Sequence, residues 1–172
     1  MSPHFHVSMQ SGSDRVLRMM RRRYTAERAI ANIDLIRSYI PGCNITADLM
    51  VGFPGESEED FEQTLDFVRR VRLLDAHVFA YSRREGTPAA DYEGQIPDGV
   101  KKERSARLIA EKNRQRDEIL SEIVDRGEPL SCIFESCDNG IYTAHSDSYV
   151  EVRVASDLEL RGALSEVVPE YH

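Results

Sequence analysis

The sequence has few cysteines and no long hydrophobic run, and both absences limit what the protein can be. Its 172 residues include three cysteines, Cys43, Cys132 and Cys137, and none of them stands in a C-x-x-C pair. This spacing predicts neither a disulfide framework nor a metal site, because Cys132 and Cys137 have no third and fourth ligand nearby. We therefore expect reduced thiols and a cytoplasmic protein. Since the sequence shows no membrane-spanning run and no secretory signal, we expect no membrane partner.

Positive charge is also scarce, and it is unevenly distributed. The formal net charge is −8 at pH 7, which argues against a generic nucleic-acid binder. From residue 128 onward there are nine acidic residues and only two bases, Arg153 and Arg161. The bases of the first 127 residues form two main clusters, at 15–23 and 101–107. The two parts of the chain therefore differ in composition.

Strand-like and helix-like segments alternate from residue 4 to about residue 127. Strands are predicted at 4–10, 44–51 and 76–82, and helices at 15–20, 25–40, 57–71 and 100–126. This alternation predicts an α/β fold with a parallel sheet. Polar and apolar residues of the first two strands fall on opposite faces, which is typical of a barrel wall. We predict an incomplete barrel whose lumen receives His6, Gln10, Thr46 and Asp48.

Residues 128–172 have a different pattern. Short strands are predicted at 130–134, 141–145, 149–154 and 164–168, with turn residues between them. This spacing is typical of a small antiparallel β-barrel, so we predict two domains, 1–127 and 128–172, and leave open whether the last strand is complete. The chain enters its first strand almost at once, which favours a piece of a longer protein. The edges of an incomplete barrel would then promote self-association.

Several short motifs lie where strands give way to turns, and each has a structural and a functional interpretation. Gln10 and Ser11 could bind hydroxyl groups of a ligand or form a strand-to-helix turn. The turn GFPGE at 52–56 follows a strand, at the end of a parallel sheet where ligands bind. The arginines at 21–23 could bind an anion or form a solvated basic turn. The segment 81–88 could present backbone groups to an adenine or be a plain loop.

Polar residues inside predicted elements are a second group of candidates. Asp48 lies in mid-strand on the predicted inner face, where burial would raise its pKa unless a partner or ligand pairs with it. His4 and His6 could be ligands or polar residues of the lumen. The segment KKER at 101–104 is predicted to be a solvated helix face.

Four ordered blocks resemble the carboxy-terminal half of a radical S-adenosylmethionine methylthiotransferase. The blocks are FHVSMQSGSD at 5–14, MRRRYT at 20–25, DLMVGFPGE at 48–56 and FAYSRREGTPAA at 79–90. The resemblance covers about residues 4–126, which would form a partial radical-SAM (β/α) barrel, and the tail is similar to the small β-barrel called TRAM. Further short segments resemble the branch of the family that acts on N6-threonylcarbamoyladenosine at position 37 of tRNA. They are QIP at 95–97, KKER at 101–104 and YVEVRV at 149–154. The isopentenyladenosine branch is the alternative, and the ribosomal-protein branch fits less well.

The resemblance implies cofactors, a partner and a set of site residues. The parent enzyme would use S-adenosylmethionine and two 4Fe-4S clusters, and its partner would be tRNA. For S-adenosylmethionine, the implied residues are Gln10 and Ser11 at the ribose, Arg22 at the carboxylate, and Gly52, Tyr81 and Ser82 at the adenine. For the substrate they are Asp48, Arg84 and Thr87.

The chain departs from this family in two respects. It has no C-x-x-x-C-x-x-C cluster motif and no amino-terminal cluster domain, so we expect no catalytic residue, no metal ligand and no activity in this chain alone. Its acidic tail also lacks the bases that phosphate contacts need. Either the local surface of the tail differs from its net charge, or tRNA binding rests on the barrel and other domains. An alternative from a different class is a non-catalytic binding module of a larger assembly.

Overall fold

Three parallel strands and the helices between them make up the first part of the chain in the computed structural model, which describes residues 2–170. The elements are β1 His4–Gln10, α1 Asp14–Met19, α2 Ala26–Tyr39, β2 Asn44–Val51, α3 Glu58–Val71, β3 Asp75–Ala80, a short 3₁₀ helix Pro88–Asp91 and α4 Asp98–Arg126. The strands pair in the order β1-β2-β3. Residue 1 of the first predicted domain and residues 171–172 of the second lie outside the described residues.

Capping side chains fix where the helices begin and end. Thr25 Oγ1 accepts a hydrogen bond from Arg28 N at 3.2 Å, and α2 begins directly after Thr25. Ser57 and Asp60 form the reciprocal capping box that the sequence predicts at α3. Gly127 ends α4 with a φ of 62°, in the left-handed region that favours glycine. The local chemistry therefore agrees with the observed order of elements.

The two faces of the parallel sheet differ in polarity, as predicted. Ile45, Leu49 and Val51 of β2 are completely buried, in a core shared with α2, α3 and α4. Thr46 and Asp48 alternate with them and therefore lie on the opposite face. The register pairs Thr46 with His6 of β1, and Asp48 with His77 of β3. We call the face that carries His6, Thr46, Asp48 and His77 the open face.

The second part of the chain is a curled antiparallel sheet. Its strands are β4 Leu130–Asp138, β5 Ile141–Ser146, β6 Glu151–Ala155 and β7 Leu164–Val167, paired in the order β6-β5-β4-β7. Its small core consists of Cys132, Phe134, Tyr142 and Ala144. The fold class is therefore the predicted one: α/β, with a partial parallel sheet followed by an antiparallel half-barrel. The division into two domains stays a prediction.

The long helix α4 and the turn after β5 connect the two sheets. Leu74, Ile123 and Val150 pack into one buried cluster, and Asn44 Nδ2 donates a hydrogen bond to Ser148 O at 2.9 Å. On α4, Leu108 is completely buried, whereas its neighbour Ile109 is exposed, because successive residues leave the helix about 100° apart. None of the described helices combines the length and the hydrophobicity needed to cross a membrane. The second sheet packs near Asn44 at the start of β2, so it does not cover the carboxyl ends of the parallel strands, where a cavity opens.

Candidate functional site

A cavity of about 240 Å³ opens at the carboxyl end of the parallel sheet. The residues that line it are Gln10, Met19, Met20, Arg21, Arg22, Met50, Phe53, Tyr81, Thr87, Pro88, Ala89 and Tyr92. The wall is mostly apolar or aromatic, and the exposed side chains of Arg21 and Arg22 add positive charge. Such a cavity suits a small ligand that has a flat apolar part and an anionic part.

Two residues at the cavity hold an unusual backbone conformation. Gln10 and Arg21 have φ values of 67° and 58°, in the left-handed region that residues other than glycine seldom adopt. The turns that contain them are closed by hydrogen bonds from Ser11 N to Met9 O and from Arg22 N to Leu17 O, each 2.8 Å long. At Arg21 the conformation belongs to the end of α1, where the bond from Arg22 N to Leu17 O closes a common type of helix ending. At Gln10 it costs on the order of 1–3 kcal/mol, and strain of that kind is found at many ligand sites.

The hydroxyl of Tyr81 is the clearest sign that the cavity takes a ligand. The side chain is buried, with 8% of the residue exposed, and its hydroxyl has no hydrogen-bond partner among the described residues. The ring packs edge-on against Phe53 at 5.5 Å between centroids, and Lys101 Nζ lies 5.8 Å from the centre of the Tyr81 ring. A buried polar atom without a partner is costly. A ligand atom in the cavity could supply the missing hydrogen bond.

Of the predicted cofactor residues, Gln10, Arg22 and Tyr81 line this cavity, whereas Ser11 and Gly52 do not. Ser11 is completely buried, and its hydroxyl bonds to Thr64 Oγ1 at 3.2 Å and accepts from Ser13 N at 3.1 Å. These contacts favour the interpretation that Ser11 forms part of a strand-to-helix turn. Its role at a ribose stays a prediction.

Gly52 has a structural task in the turn after β2. Its φ is 72°, and a Cβ at this position would lie 2.4 Å from Lys101 Cγ, so a larger residue would clash with α4. Its N–H donates a hydrogen bond to Glu56 Oε2 at 2.7 Å. Contact between Gly52 and an adenine stays a prediction.

The segment after β3 places two predicted residues, Tyr81 and Thr87, at the cavity and two, Ser82 and Arg84, outside it. Thr87 lines the cavity, and its hydroxyl donates a hydrogen bond to Arg84 O at 2.8 Å. The side chains of Ser82 and Arg84 are exposed and do not line the cavity. The third strand ends at Ala80, two residues earlier than predicted, so Tyr81 and Ser82 belong to the turn.

Asp48 belongs to a polar network on the open face. Its Oδ2 accepts hydrogen bonds from His6 Nε2 and Ser8 Oγ, each at 3.2 Å, and its Oδ1 lies 3.5 Å from His77 Nδ1. Burial would raise the pKa of Asp48, but the hydrogen bonds from His6 and Ser8 and the charges of His6 and His77 lower it, and the net shift is downward. The sequence predicted that Asp48 has a partner or ligand, and His6 and Ser8 are partners of this kind. His77 was not predicted, because the sequence pattern did not show which face of the third strand it lies on.

A buried ion pair behind the cavity was not predicted. Glu56, with 3% of its surface exposed, and Arg104, with 5%, are joined by a bond of 2.7 Å from Arg104 Nη1 to Glu56 Oε2. Burial raises the pKa of Glu56 despite this bond. The prediction that residues 101–104 form a solvated helix face is therefore wrong for Arg104, which reaches inward to the turn after β2. The sequence feature that could have predicted this pair is Glu56, the acidic residue at the end of the motif GFPGE, because a buried acid needs a basic partner.

The cysteines do not form a metal site. Cys43 and Cys132 are buried, Cys137 is half-buried, and all three are free thiols. Within residues 2–170, no group of three or more histidine, cysteine, aspartate or glutamate side chains is arranged to hold a metal ion. The residues present therefore do not fit an iron–sulfur cluster.

Comparison with known proteins supports the fold and points to its class. Residues 2–68 match the family model described as the Radical SAM superfamily. A solved structure described as coproporphyrinogen III oxidase from Escherichia coli, a radical SAM enzyme, superposes with a TM-score of 0.54. The alignment covers 90% of this chain and 46% of that chain at 16% sequence identity, so this likeness concerns the fold alone. The chain has the fold of a partial radical SAM protein.

The curated relatives that the chain matches are enzymes named for a modified tRNA nucleoside. The tRNA-2-methylthio-N(6)-dimethylallyladenosine synthase of Mycolicibacterium paratuberculosis is 58% identical over 107 residues, which cover 62% of this chain and 21% of that protein. The synthase of the same name from Mycobacterium bovis is 57% identical over 108 residues, or 63% of this chain and 21% of that protein. The one from Corynebacterium efficiens is 53% identical over 112 residues, or 65% of this chain and 21% of that protein. The matched part of the chain thus spans about a fifth of the length of these synthases.

These relatives bear on the choice between branches. They favour the isopentenyladenosine alternative over the threonylcarbamoyladenosine branch, because they are named for the dimethylallyl, or isopentenyl, nucleoside. Two of the segments behind the preference for the threonylcarbamoyladenosine branch have packing roles. In KKER, Lys101 packs over Tyr81 and Arg104 pairs with Glu56, while Val150 of YVEVRV is buried against Leu74. These contacts lie within the chain.

Proposed function

We propose that this chain is the carboxy-terminal part of a radical SAM methylthiotransferase that acts on N6-dimethylallyladenosine in tRNA. The observation that carries the proposal is the 58% identity over 107 residues to a protein named for that product. The cavity at the end of the parallel sheet supports it, because it combines an apolar wall, a buried hydroxyl and two arginines. Those features match the adenine, the ribose and the carboxylate of S-adenosylmethionine.

In this proposal three residues of the cavity hold S-adenosylmethionine directly. The Tyr81 hydroxyl hydrogen-bonds the adenine edge, the Gln10 amide hydrogen-bonds the ribose, and the Arg22 guanidinium pairs with the carboxylate. Ser11, Gly52 and Ser82 shape the turns around them. Met50 and Phe53 exclude water from the adenine side of the cavity. S-adenosylmethionine held here would supply radical chemistry for the activation of a C–H bond, with the iron–sulfur cluster provided by another part of the parent enzyme.

The clusters belong to other parts of the parent enzyme in this proposal. The thiols of this chain are dispersed among α2–β2 and the second sheet, and no C-x-x-x-C-x-x-C motif is present. The relatives are about three times as long as this chain, since 107 aligned residues make up 21% of one of them, so they have room for both clusters. The contribution of this chain is then to bind and orient S-adenosylmethionine and to shape the substrate side of the barrel.

The substrate side is the open face and the turn after β3. We propose Asp48, Arg84 and Thr87 as the residues that meet the modified adenosine and its neighbouring phosphates. Within the described part of the chain, β1 and β3 are the edges of the parallel sheet, and these edges would also support self-association of the isolated chain. We retain the division into 1–127 and 128–172, with Gly127 at the boundary, as part of the proposal.

A hybrid enzyme tests the proposed function. Residues 4–126 would replace the matching segment of the Mycobacterium bovis synthase, and the tRNA nucleosides of a host strain without its own synthase would be measured by mass spectrometry. We expect the hybrid to form 2-methylthio-N6-dimethylallyladenosine. The iron content of the hybrid, measured beside that of the parent synthase, controls for correct assembly.

Each outcome of this experiment is informative. A hybrid that carries the parent's iron but forms no methylthio product would contradict the proposal and favour a non-catalytic binding module. A 2-methylthio-N6-threonylcarbamoyladenosine product would instead move the chain to that branch of the family.

A further inference from the structure

A row of hydrogen-bonded side chains runs along the open face from the second sheet to Asp48. His4 Nε2 and His6 Nδ1 each lie 2.9 Å from Thr46 Oγ1, and His6 Nε2 lies 3.2 Å from Asp48 Oδ2. At the other end, the ring of His4 stacks on the ring of Tyr149, with centroids 4.3 Å apart and planes 7° from parallel. The row therefore joins residues of β1 and β2 to the turn that follows β5.

The donor and acceptor chemistry of each group means that all hydrogen bonds of this row run in one direction, from His4 toward Asp48. An ionised carboxylate only accepts hydrogen bonds, so His6 Nε2 must carry a proton and donate it to Asp48. In neutral His6 the other nitrogen, Nδ1, is then an acceptor, and the hydroxyl hydrogen of Thr46 points to it. Because that hydroxyl has one hydrogen, its oxygen accepts from His4 Nε2–H. Burial lowers the pKa of His4, which agrees with a neutral His4 ring.

The turn that carries Tyr149 is held firmly against this end of the row. Tyr149 has a φ of 68°, and its N–H donates a hydrogen bond to Ser146 O at 3.0 Å. Its neighbour Ser148 accepts a hydrogen bond from Asn44 Nδ2 at 2.9 Å. A strained residue other than glycine persists where surrounding contacts over-determine it. The stack of Tyr149 on His4 is thus one of the contacts that hold the second sheet against β1 and β2.

We propose that His4, Thr46 and His6 form an oriented hydrogen-bond relay that positions Asp48 on the open face and couples its orientation to the docking of Tyr149. His4, Thr46 and His6 are positioning residues, since each acts through the next. Thr46, with 5% of its surface exposed, is the buried centre of the relay. The inference goes beyond the proposed function and holds whatever ligand the open face receives.

Other titratable groups surround the relay and must be followed in the same experiment. On β3, Asp75 pairs in register with Thr46, and His77 lies beside Asp48. Lys112 and Arg116 of α4 approach Asp75, and the ring of His145 on β5 lies 5.7 Å from that of Tyr149. Near His145, in turn, lie Glu135 and Glu151. His145 does not belong to the row, so it serves as an internal reference for the Thr46 variants, but not for Tyr149→Ala, which removes the ring beside it.

Nuclear magnetic resonance of the 172-residue chain, labelled with ¹⁵N and ¹³C, tests the relay. Long-range proton–nitrogen spectra above pH 7.5 report which ring nitrogen of each histidine carries the proton. We expect His4 and His6 both to be protonated on Nε2, with one tautomer each. A His6 ring protonated on Nδ1, or an even mixture of tautomers, in the unmodified chain would overturn the proposal without any variant.

Variants test the coupling along the row. Thr46→Val should turn His6 into a mixture of tautomers and raise the pKa of Asp48, while Thr46→Ser, which keeps the hydroxyl, should restore both. Tyr149→Ala should shift the His4 and His6 signals, and Tyr149→Phe, which keeps the stacking ring, should not. Thr143→Val on β5 is the matched control and should leave all of these signals in place. Unchanged His6 and Asp48 signals in folded Thr46→Val and Tyr149→Ala would show that the row positions nothing.

Discussion

Arg104 Nη1 lies 2.7 Å from Glu56 Oε2, in a buried ion pair that joins α4 to the turn after β2. The same Glu56 oxygen accepts the N–H of Gly52, and Arg104 Nη1 also donates to Glu56 O at 3.2 Å. One carboxylate therefore fixes both ends of the turn that separates β2 from α3. The wall residue Phe53 lies inside that turn, so the ion pair supports the cavity from behind.

Removing one partner of this pair should strongly destabilise the chain. Arg104→Ala leaves Glu56 buried and uncompensated, and breaking a buried pair in this way costs about 3–5 kcal/mol. Urea denaturation measures the loss as a lower midpoint with an unchanged slope. Lys102→Ala, on the exposed side of the same helix, should change the free energy of unfolding by less than about 0.5 kcal/mol.

Replacing both partners, Glu56→Leu with Arg104→Leu, should lower the free energy of unfolding less than Arg104→Ala does. Equal effects of Lys102→Ala and Arg104→Ala would show that the pair has no special role.

Asp60 should make the stability of the chain depend on acid pH. Its carboxylate accepts hydrogen bonds from Ser13 Oγ at 2.6 Å, from Ser57 N at 2.8 Å and from Arg15 Nε at 3.2 Å. Burial would raise the pKa of Asp60, but these bonds outweigh it and hold the pKa well below its usual value of 3.8. A depressed folded pKa gives stability that is present above 3.8 and is lost as pH falls toward the folded value.

The variant Asp60→Asn tests this dependence. We expect a loss of about 1.5–3 kcal/mol at neutral pH, because charge-assisted hydrogen bonds are replaced by neutral ones. The free energy of unfolding should also fall less steeply between about pH 4 and pH 2 than in the unmodified chain. Glu59→Gln, exposed at the same helix end, is the control and should keep the steep fall. An Asp60→Asn chain with the full acid dependence would mean that other carboxyl groups cause it.

The sequence predicted the elements of this fold better than the contents of its site. Period-two polarity placed Thr46 and Asp48 opposite Ile45 and Leu49, and capping residues located the starts of α2 and α3, because both signals are local. The apolar wall of the cavity, which includes Met19, Met50 and Phe53, was missed. Such residues look like ordinary core positions until the turns bring them together. The burial of Arg104 was missed because a charged residue in a charged helix predicts exposure, and only the distant Glu56 reverses that.

The chain alone should neither hold an iron–sulfur cluster nor cleave S-adenosylmethionine. Cys43 directly precedes β2, whereas Cys132 and Cys137 lie in β4, and the described residues contain no arrangement of ligands for a metal ion. Anaerobic reconstitution with iron and sulfide, followed by visible absorbance and by assay of deoxyadenosine, measures both properties. The hybrid synthase, treated in parallel, is the positive control. A stable thiolate-to-iron band together with deoxyadenosine from this chain would overturn the prediction.

Arg22→Ala should weaken the binding of S-adenosylmethionine more than Arg23→Ala does. Arg22 lines the cavity, whereas Arg23 does not, although both side chains are exposed. Losing a charge-assisted hydrogen bond costs about 1.5–3 kcal/mol, which is a tenfold or greater loss of affinity. Calorimetric titration of the hybrid synthase and its two variants measures the difference. Equal losses would show that the basic turn acts only through its total charge.

Tyr81→Phe should have opposite effects on stability and on binding. The Tyr81 hydroxyl is buried without a partner among the described residues, so its removal relieves a desolvation cost and should leave the free energy of unfolding unchanged or raise it by about 1 kcal/mol. If the hydroxyl bonds to S-adenosylmethionine, the same change should weaken binding by about 0.5–1.5 kcal/mol. Tyr92→Phe, in the same cavity, is the matched control, because Tyr92 is only half-buried and its hydroxyl can be solvated. Urea denaturation of the chain and titration of the hybrid synthase give the two quantities. A Tyr81→Phe protein that is less stable but binds S-adenosylmethionine normally would show that the hydroxyl serves the fold and not the ligand.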